Sequence, residues 1–136
     1  MTLRYLLDTN IVSYYIRRQS AALDARMDEG LSKRTLAIST ITRAELRFGM
    51  AAMSHDDKRR GLIDRFMARL PNLPWTALAA DRYGDIRSWL KIQGTPIGEL
   101  DTQIAAQALA EKLILVTHNS RHFDKVPLLT LEDWMV

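Results

Sequence analysis

Short apolar runs alternate with longer amphipathic segments along this chain. The runs at 4–7, 36–39 and 113–117 have the length and composition of buried strands. A weaker strand is predicted at 73–78, where Pro74 interrupts the run, and a last one at 128–131. Apolar residues at helical spacing predict helices at 11–18, 20–30 (ended by Gly30), from near Thr42 onward, 56–70, 80–93 and 98–112, with a short turn at 120–123.

This alternation predicts one α/β domain over residues 1–136, with helices covering both faces of a mainly parallel sheet. A chain of this length can bury one core without disulfides or a structural metal. Ligands of such sheets bind beyond the carboxyl ends of the strands. Polar residues that follow the strands are therefore the candidates for a functional site.

Composition excludes several classes of site. Cysteine is absent, so disulfide scaffolds, thiolate nucleophiles and cysteine-based zinc sites are ruled out. No apolar run approaches the roughly 20 residues that span a bilayer, and no signal-peptide pattern is visible. We therefore expect a cytoplasmic protein without a membrane partner. The net charge of +3, with more arginine than lysine, modestly favours a polyanionic partner.

Asp8 and Glu45 each have a structural and a functional interpretation. Asp8 directly follows the first strand, where it can cap the next helix, although Asn10 is the stronger N-cap candidate. Glu45 lies three residues after Thr42, and this spacing fits a capping box. Apolar neighbours on the helix face of Glu45 would instead half-bury it as a site residue: Ile41, Ala44 and Phe48.

Asp101 is the most informative acid. It shares the apolar stripe of its helix with Ile104, Ala105 and Ala108, so its carboxylate is predicted to face the core. Such a carboxylate needs a partner or a cation. Alternatively, Asp101 lies in the first helical turn with Glu99 and interacts with the helix dipole.

Asn119 follows the 113–117 strand. It can cap the short turn after it or add a neutral oxygen to a nearby acidic site.

Three acids gathered at one edge of the sheet would leave uncompensated negative charge. Ligation by oxygen alone selects Mg²⁺, for which Mn²⁺ can substitute. Mg²⁺ held by few carboxylates keeps sites for water and phosphate oxygens, as metal-assisted phosphodiester hydrolysis requires. The acids therefore predict a phosphodiesterase centre.

At these residues the chain resembles the VapC-type toxins of the PIN-domain nuclease family. The resembling segments are "LLDTN", "ISTITRAELRFG", "IGELDTQIAAQAL", "ILVTHNSRHFDKV" and "LEDW", in this order over nearly the whole chain. The resemblance implies a three-layer α/β/α PIN-like fold and a type II toxin–antitoxin system. Asp8, Glu45 and Asp101 would be the catalytic, metal-binding acids, with Asn119 beside them.

The resemblance also implies a reaction and partners. An endoribonuclease would cut structured RNA, with tRNA as the first candidate, through water activated by one or two Mg²⁺ ions. Products would carry 5′-phosphate and 3′-hydroxyl ends. A cognate VapB-type antitoxin would neutralise the chain, which would form a homodimer or a higher toxin–antitoxin assembly.

One position departs from the family pattern. Relatives commonly carry Asp or Glu before the phenylalanine of the fourth segment, where this chain has His122. The missing acid would weaken a second metal position, or leave one Mg²⁺ with the substrate supplying its other ligands, unless Glu99 or Asp124 compensates. We expect His122 to be a solvent-facing loop residue.

Two surfaces are predicted beyond the acids. Phosphate contacts would come from arginines near the acidic segments, as a group: Arg17, Arg18, Arg43, Arg47 and Arg121. An antitoxin groove or ordinary core would be formed by aromatic and methionine side chains: Tyr14, Tyr15, Ile16, Phe48, Met50 and Met53.

Three other functions compete with the nuclease. A PIN domain that only binds RNA or antitoxin is suggested by His122, whereas the three acids argue against it. A phosphoacceptor domain would need an aspartate ending a central strand, and the 36–39 and 113–117 strands lack one. A metal-free nuclease would need two histidines from separate segments, but His118 and His122 share one loop.

Overall fold

The computed structural model describes residues 2–136, and the sheet at its centre has five parallel strands. Their order is β3-β2-β1-β4-β5. Tyr5 is paired with Leu36 on one side and with Ile114 on the other. The strands are β1 (Tyr5–Leu7), β2 (Leu36–Ser39), β3 (Asn72–Leu73), β4 (Ile114–Val116) and β5 (Leu131–Glu132).

Helices cover both faces of this sheet, which confirms the predicted α/β/α architecture. Alternate strand residues point to opposite faces, so Leu7 and Val116 enter one core cluster and Leu6 and Leu115 the other. Among residues 2–136, every helix is too short or too polar to cross a membrane. The helices are α1 (Thr9–Ile16), α2 (Ala21–Lys33), α3 (Thr40–Ala51), α4 (Lys58–Ala68), α5 (Ala77–Gln93), α6 (Glu99–Glu111) and α7 (Ser120–Phe123).

The carboxyl end of β1 is the natural ligand position in this topology. β1 is the middle strand, and the chain places β2 on one side of it and β4 on the other. In open parallel sheets a crevice forms where the strand order reverses in this way. The backbone N–H of Asp8 donates to the carbonyl of Val116 (3.1 Å), so the ends of β1 and β4 are joined there.

The prediction of a strand at 73–78 is wrong. Only Asn72–Leu73 is a strand, because Pro74 has no N–H for the ladder. The buried Gln107 amide donates to the carbonyls of Leu73 (3.1 Å) and Pro74 (3.0 Å), which holds the chain where it leaves β3. Thr76 then caps α5, which begins three residues earlier than predicted.

The last strand is also displaced from its predicted position at 128–131. It comprises Leu131–Glu132. Leu128 has a φ of +67° and is 93% exposed, a backbone conformation and an environment that exclude it from a sheet.

Gly30 does not end α2, contrary to the prediction. The helix continues to Lys33 and is closed by Arg34 in the left-handed conformation. Gly30 instead permits close packing, because a Cβ there would lie 2.6 Å from Cδ2 of the buried Leu36. The glycine therefore sets the distance between α2 and β2.

Gly30→Ala is expected to destabilise the protein by about 1–3 kcal/mol, although alanine is the better helix former. The overlap with Leu36 has to be relieved by shifting α2 or β2. Gly84→Ala in α5 is the matched control, since a Cβ there meets no atom within 4 Å. That control should gain about 0.5–1 kcal/mol. Urea unfolding of both variants measures the difference, and equal stabilisation of the two would contradict this packing role.

Candidate active site

Asp8 serves as the helix cap and lies close enough to the other two acids for their charges to affect its pKa. Its Oδ1 accepts a hydrogen bond from the N–H of Ile11 (2.8 Å), so Asp8, and not Asn10, is the N-cap of α1. The residue is only 6% exposed. Burial raises the pKa of its carboxyl from 3.8 to about 6.

Neighbouring groups also shift the pKa of Asp8. The Thr117 hydroxyl and the Ile11 N–H lower the pKa, in partial opposition to burial. The negative charges of Asp101 and Glu45 raise it further. The three predicted acids therefore share one electrostatic environment at the carboxyl ends of β1 and β4.

Glu45 is held towards the end of β1 by a threonine. Its Oε1 accepts a hydrogen bond from the hydroxyl of Thr9 (2.6 Å), the residue after Asp8. The capping-box interpretation is wrong, because α3 begins at Thr40 and its N-cap is Ser39. Thr42 is a fully buried interior residue of that helix.

Glu45 is half-buried as predicted, but for a different reason. Phe48 is 82% exposed and Ala44 is also exposed, so the apolar helix face does not enclose the carboxylate. The contact with Thr9 restrains it instead.

Asp101 lies in the first turn of α6 with Glu99, as the alternative interpretation expects, and does not face the core. Its side chain is 44% exposed, while Ile104 and Ala105 are buried. The Oδ2 of Asp101 is 2.9 Å from Nε2 of His122. The partner that the stripe argument required is thus His122.

His122 is not a solvent-facing loop residue. Its Nε2 lies 2.6 Å from the carbonyl oxygen of Ile97 as well as 2.9 Å from Asp101. A carbonyl only accepts, so Nε2 carries a hydrogen and donates it to Ile97, while the Asp101 carboxylate lies within ion-pair distance of the same nitrogen. At the position where relatives are expected to have an acid, this chain therefore has a histidine in contact with Asp101.

Asn119 lies in the same pocket as Asp8. Its side chain makes no capping hydrogen bond to α7, and its backbone N–H donates to the Thr117 hydroxyl (3.0 Å). Glu99 is exposed and lines a different pocket, with Arg87 and Thr102. Asp124 is exposed as well. Roles for Asn119, Glu99 and Asp124 at the metal stay predictions.

The donor set fits Mg²⁺ as a weakly held ion. Within residues 2–136, no three acidic or histidine side chains are close enough to hold an ion by themselves. Mg²⁺ commonly uses one or two carboxylates and takes water and substrate phosphate as its other ligands. Burial, with a smaller contribution from the charges of Asp101 and Glu45, raises the pKa of Asp8, and a bound cation would stabilise its ionised form. Magnesium binding itself stays a prediction.

The predicted arginines differ in whether their side chains already have partners within the protein. Arg47 pairs with Asp64 (2.6 Å), and Arg43 donates to Asn72 (2.7 Å). Arg18 lies over the Tyr15 ring and near two aspartates. Two arginines are exposed and form no ion pair within the described part of the chain, which leaves them free for phosphate: Arg17 and Arg121.

The two histidines of the 118–122 loop have separate partners. Nδ1 of His118 lies 2.9 Å from Asp133, whereas His122 contacts Asp101. This arrangement gives no support to a paired-histidine nuclease. Sequence patterns had not singled out Thr9, Thr117 or Asp133, although Asp133 belongs to the "LEDW" segment.

Comparison with known proteins shows the family of this chain. The PIN domain family model matches residues 5–129. The ribonuclease VapC2 of Haemophilus influenzae is 38% identical, over 98% of this chain and 99% of that protein. The tRNA(fMet)-specific endonuclease VapC of Shigella flexneri is 36% identical, over 97% and 98%. The promoter-DNA-bound VapBC2 structure from Rickettsia felis aligns with a TM-score of 0.88 at 34% identity, covering 98% of this chain and 99% of that one. The chain therefore belongs to the PIN domain family and, within it, to the VapC proteins.

Proposed function

We propose that this protein is a Mg²⁺-dependent endoribonuclease toxin that cleaves structured RNA, with tRNA as its preferred class. The observation that carries the proposal is the buried Asp8 at the end of β1, facing the charges of Glu45 and Asp101. The names of its relatives, a ribonuclease and a tRNA endonuclease, support the reaction and substrate class.

Each acid has a distinct part in this proposal. Asp8 and Asp101 would be the main ligands of Mg²⁺, and Glu45 would be a ligand or would orient the attacking water. Bound Mg²⁺ lowers the pKa of water and stabilises charge on the phosphate. A hydrogen bond from Thr9 restrains the Glu45 carboxylate, and His122 contacts Asp101. Water as the nucleophile leaves 5′-phosphate and 3′-hydroxyl ends.

A purely binding function is the competing proposal, and the cost of ionising the buried Asp8 argues against it. An isolated carboxylate in a site that raises its pKa to about 6 is costly to keep ionised at neutral pH. A module that only binds RNA has no need of this group. An asparagine in its place could cap α1 equally well.

A VapB-type antitoxin is the proposed regulatory partner, because similar structures are VapBC complexes. A groove of about 320 Å³ between α1 and α4 suits a segment with apolar and acidic side chains. It is lined by Tyr15, Ile16, Leu62 and Phe66 and by three arginines, Arg18, Arg65 and Arg69.

The remaining predicted groove residues are distributed differently. Met50 is buried in the core, Met53 packs against it, and Tyr14 faces the Asp8 pocket. Homodimerisation stays a prediction of the family resemblance.

The direct test is incubation of the purified, antitoxin-free protein with bacterial tRNA and rRNA. Mg²⁺, Mn²⁺ and EDTA are compared in parallel. Discrete tRNA fragments with either metal, and none with EDTA, are expected. Intact RNA in all reactions of a folded protein would reject the nuclease in favour of the binding-only module.

A further inference from the structure

A polar and aromatic pocket lies directly beside Asp8. Its volume is about 240 Å³, and it is lined by Asp8, Asn10, Tyr14, His118 and Asn119. Asn10 and Tyr14 are four residues apart on α1 and share one helix face. His118 and Asn119 come from the segment after β4. The pocket thus spans the two strand ends that form the candidate active site.

Hydrogen bonds to Asp133 orient the His118 ring. Nδ1 lies 2.9 and 3.1 Å from the two carboxylate oxygens of Asp133, whose side chain is 15% exposed. A carboxylate accepts, so Nδ1 carries the hydrogen. Nε2 has no hydrogen-bond partner among residues 2–136, and the side chain is 45% exposed.

The Tyr14 ring also packs against His118. The two ring centroids are 6.2 Å apart with an interplanar angle of 88°, an edge-to-face arrangement. His118 is therefore oriented before any ligand arrives, which lowers the conformational entropy that binding would cost.

The residues that line the pocket indicate which kind of ligand it would bind. Within the described chain, no arginine or lysine lines this pocket, and its charged group is the Asp8 carboxylate. A phosphate would therefore be disfavoured there. Aromatic rings offer stacking faces to nucleobases, and asparagine amides can pair with base edges.

We propose that this pocket binds the base of a nucleotide next to the scissile phosphate, against the His118 ring and within reach of Asn10 and Asn119. The proposal rests on the proposed ribonuclease function, because Asp8 places the pocket beside the reacting phosphate. It assigns His118 and Tyr14 to substrate binding and Asp133 to positioning His118.

The test follows the His118 imidazole signal by NMR in EDTA, where no cleavage is expected. The chain has three histidines, His55, His118 and His122, and His118→Asn assigns the signal of interest. The probes are the four nucleoside 5′-monophosphates, with ribose 5-phosphate as the control that lacks a base. A saturable His118 shift with at least one nucleotide, and none with ribose 5-phosphate, is expected.

Two results would overturn the base site. One is an equal shift with ribose 5-phosphate, which would indicate a sugar-phosphate site. The other is an unchanged His118 signal with all four nucleotides. If tRNA is nevertheless cleaved, the nuclease stands and the base site fails. A base-specific shift without any cleavage would instead retain the base site and reject the nuclease.

Kinetics with tRNA provide a second readout. His118→Asn keeps a donor towards Asp133 and removes the ring, so KM should rise about tenfold, the usual effect of losing one stacking contact. The turnover number kcat should change much less. His55→Asn, at an exposed position in the loop before α4, is the matched control and should leave both constants unchanged. An unchanged KM for His118→Asn would contradict the proposal.

Discussion

Asp8→Asn is expected to abolish RNA cleavage and to make the metal-free protein more stable. Asparagine keeps the cap on α1, because its side-chain oxygen can accept from Ile11 as Asp8 does. It removes the charge that would bind Mg²⁺, and metal stabilisation of a phosphate reaction contributes several kcal/mol. The cleavage rate should therefore fall at least about 10³-fold.

The gain in stability follows from the raised pKa of Asp8. The folded protein binds this proton more tightly than the unfolded chain, with a pKa of about 6 against 3.8, so ionisation costs up to about 3 kcal/mol. Below pH 4 that cost is absent. It grows as the pH rises and is fully present above pH 6.

Thermal unfolding across this range separates the two proteins. Without metal, the wild type should lose stability between about pH 4 and pH 6, relative to Asp8→Asn. Added Mg²⁺ should raise the Tm of the wild type at neutral pH but not that of the variant. A variant less stable than the wild type at neutral pH would show that Asp8 is retained for structure.

Glu45→Gln is expected to lower the cleavage rate by about 10²- to 10³-fold, with little effect on stability. Glutamine has the same size, and its side-chain oxygen can still accept from the Thr9 hydroxyl. The substitution therefore removes the charge of Glu45 and leaves its position unchanged. Steady-state cleavage of tRNA measures the effect.

Thr9→Val is the matched control for Glu45. It removes the hydroxyl that holds Oε1 but leaves the carboxylate charged. Cleavage should fall no more than about tenfold, the loss expected from a less restrained side chain. If Thr9→Val and Glu45→Gln lowered the rate equally, the hydrogen bond and not the charge of Glu45 would be its contribution.

The layers of the fold and the position of the site could be predicted from the sequence, since both depend on local patterns. Buried runs in β1, β2 and β4 are unbroken and apolar, and Asp8 directly follows one of them. The 73–78 segment was misassigned because its hydrogen-bond partner is the distant Gln107. Gly30 was misread because its packing against Leu36 is a tertiary contact.

The detail of the site depended on contacts that spacing does not encode. The Thr42–Glu45 spacing fits a capping box, yet α3 begins earlier and Ser39 is its N-cap. Glu45 therefore accepts a hydrogen bond from Thr9 instead. Helical periodicity places Asp101 on the apolar stripe of α6, but it does not show how deeply the first turn of that helix is buried. His122 meets Asp101 only through a tertiary contact between α7 and the first turn of α6.

Analysis of the RNA ends after cleavage tests the central claim most directly. Wild type and Asp101→Asn are incubated with tRNA and Mg²⁺, and the fragments are assayed for terminal phosphate and hydroxyl groups. The expected result is 5′-phosphate and 3′-hydroxyl ends from the wild type and no fragments from the variant. Fragments ending in 2′,3′-cyclic phosphate, or unchanged cleavage by Asp101→Asn, would contradict hydrolysis at the Asp8, Glu45 and Asp101 centre.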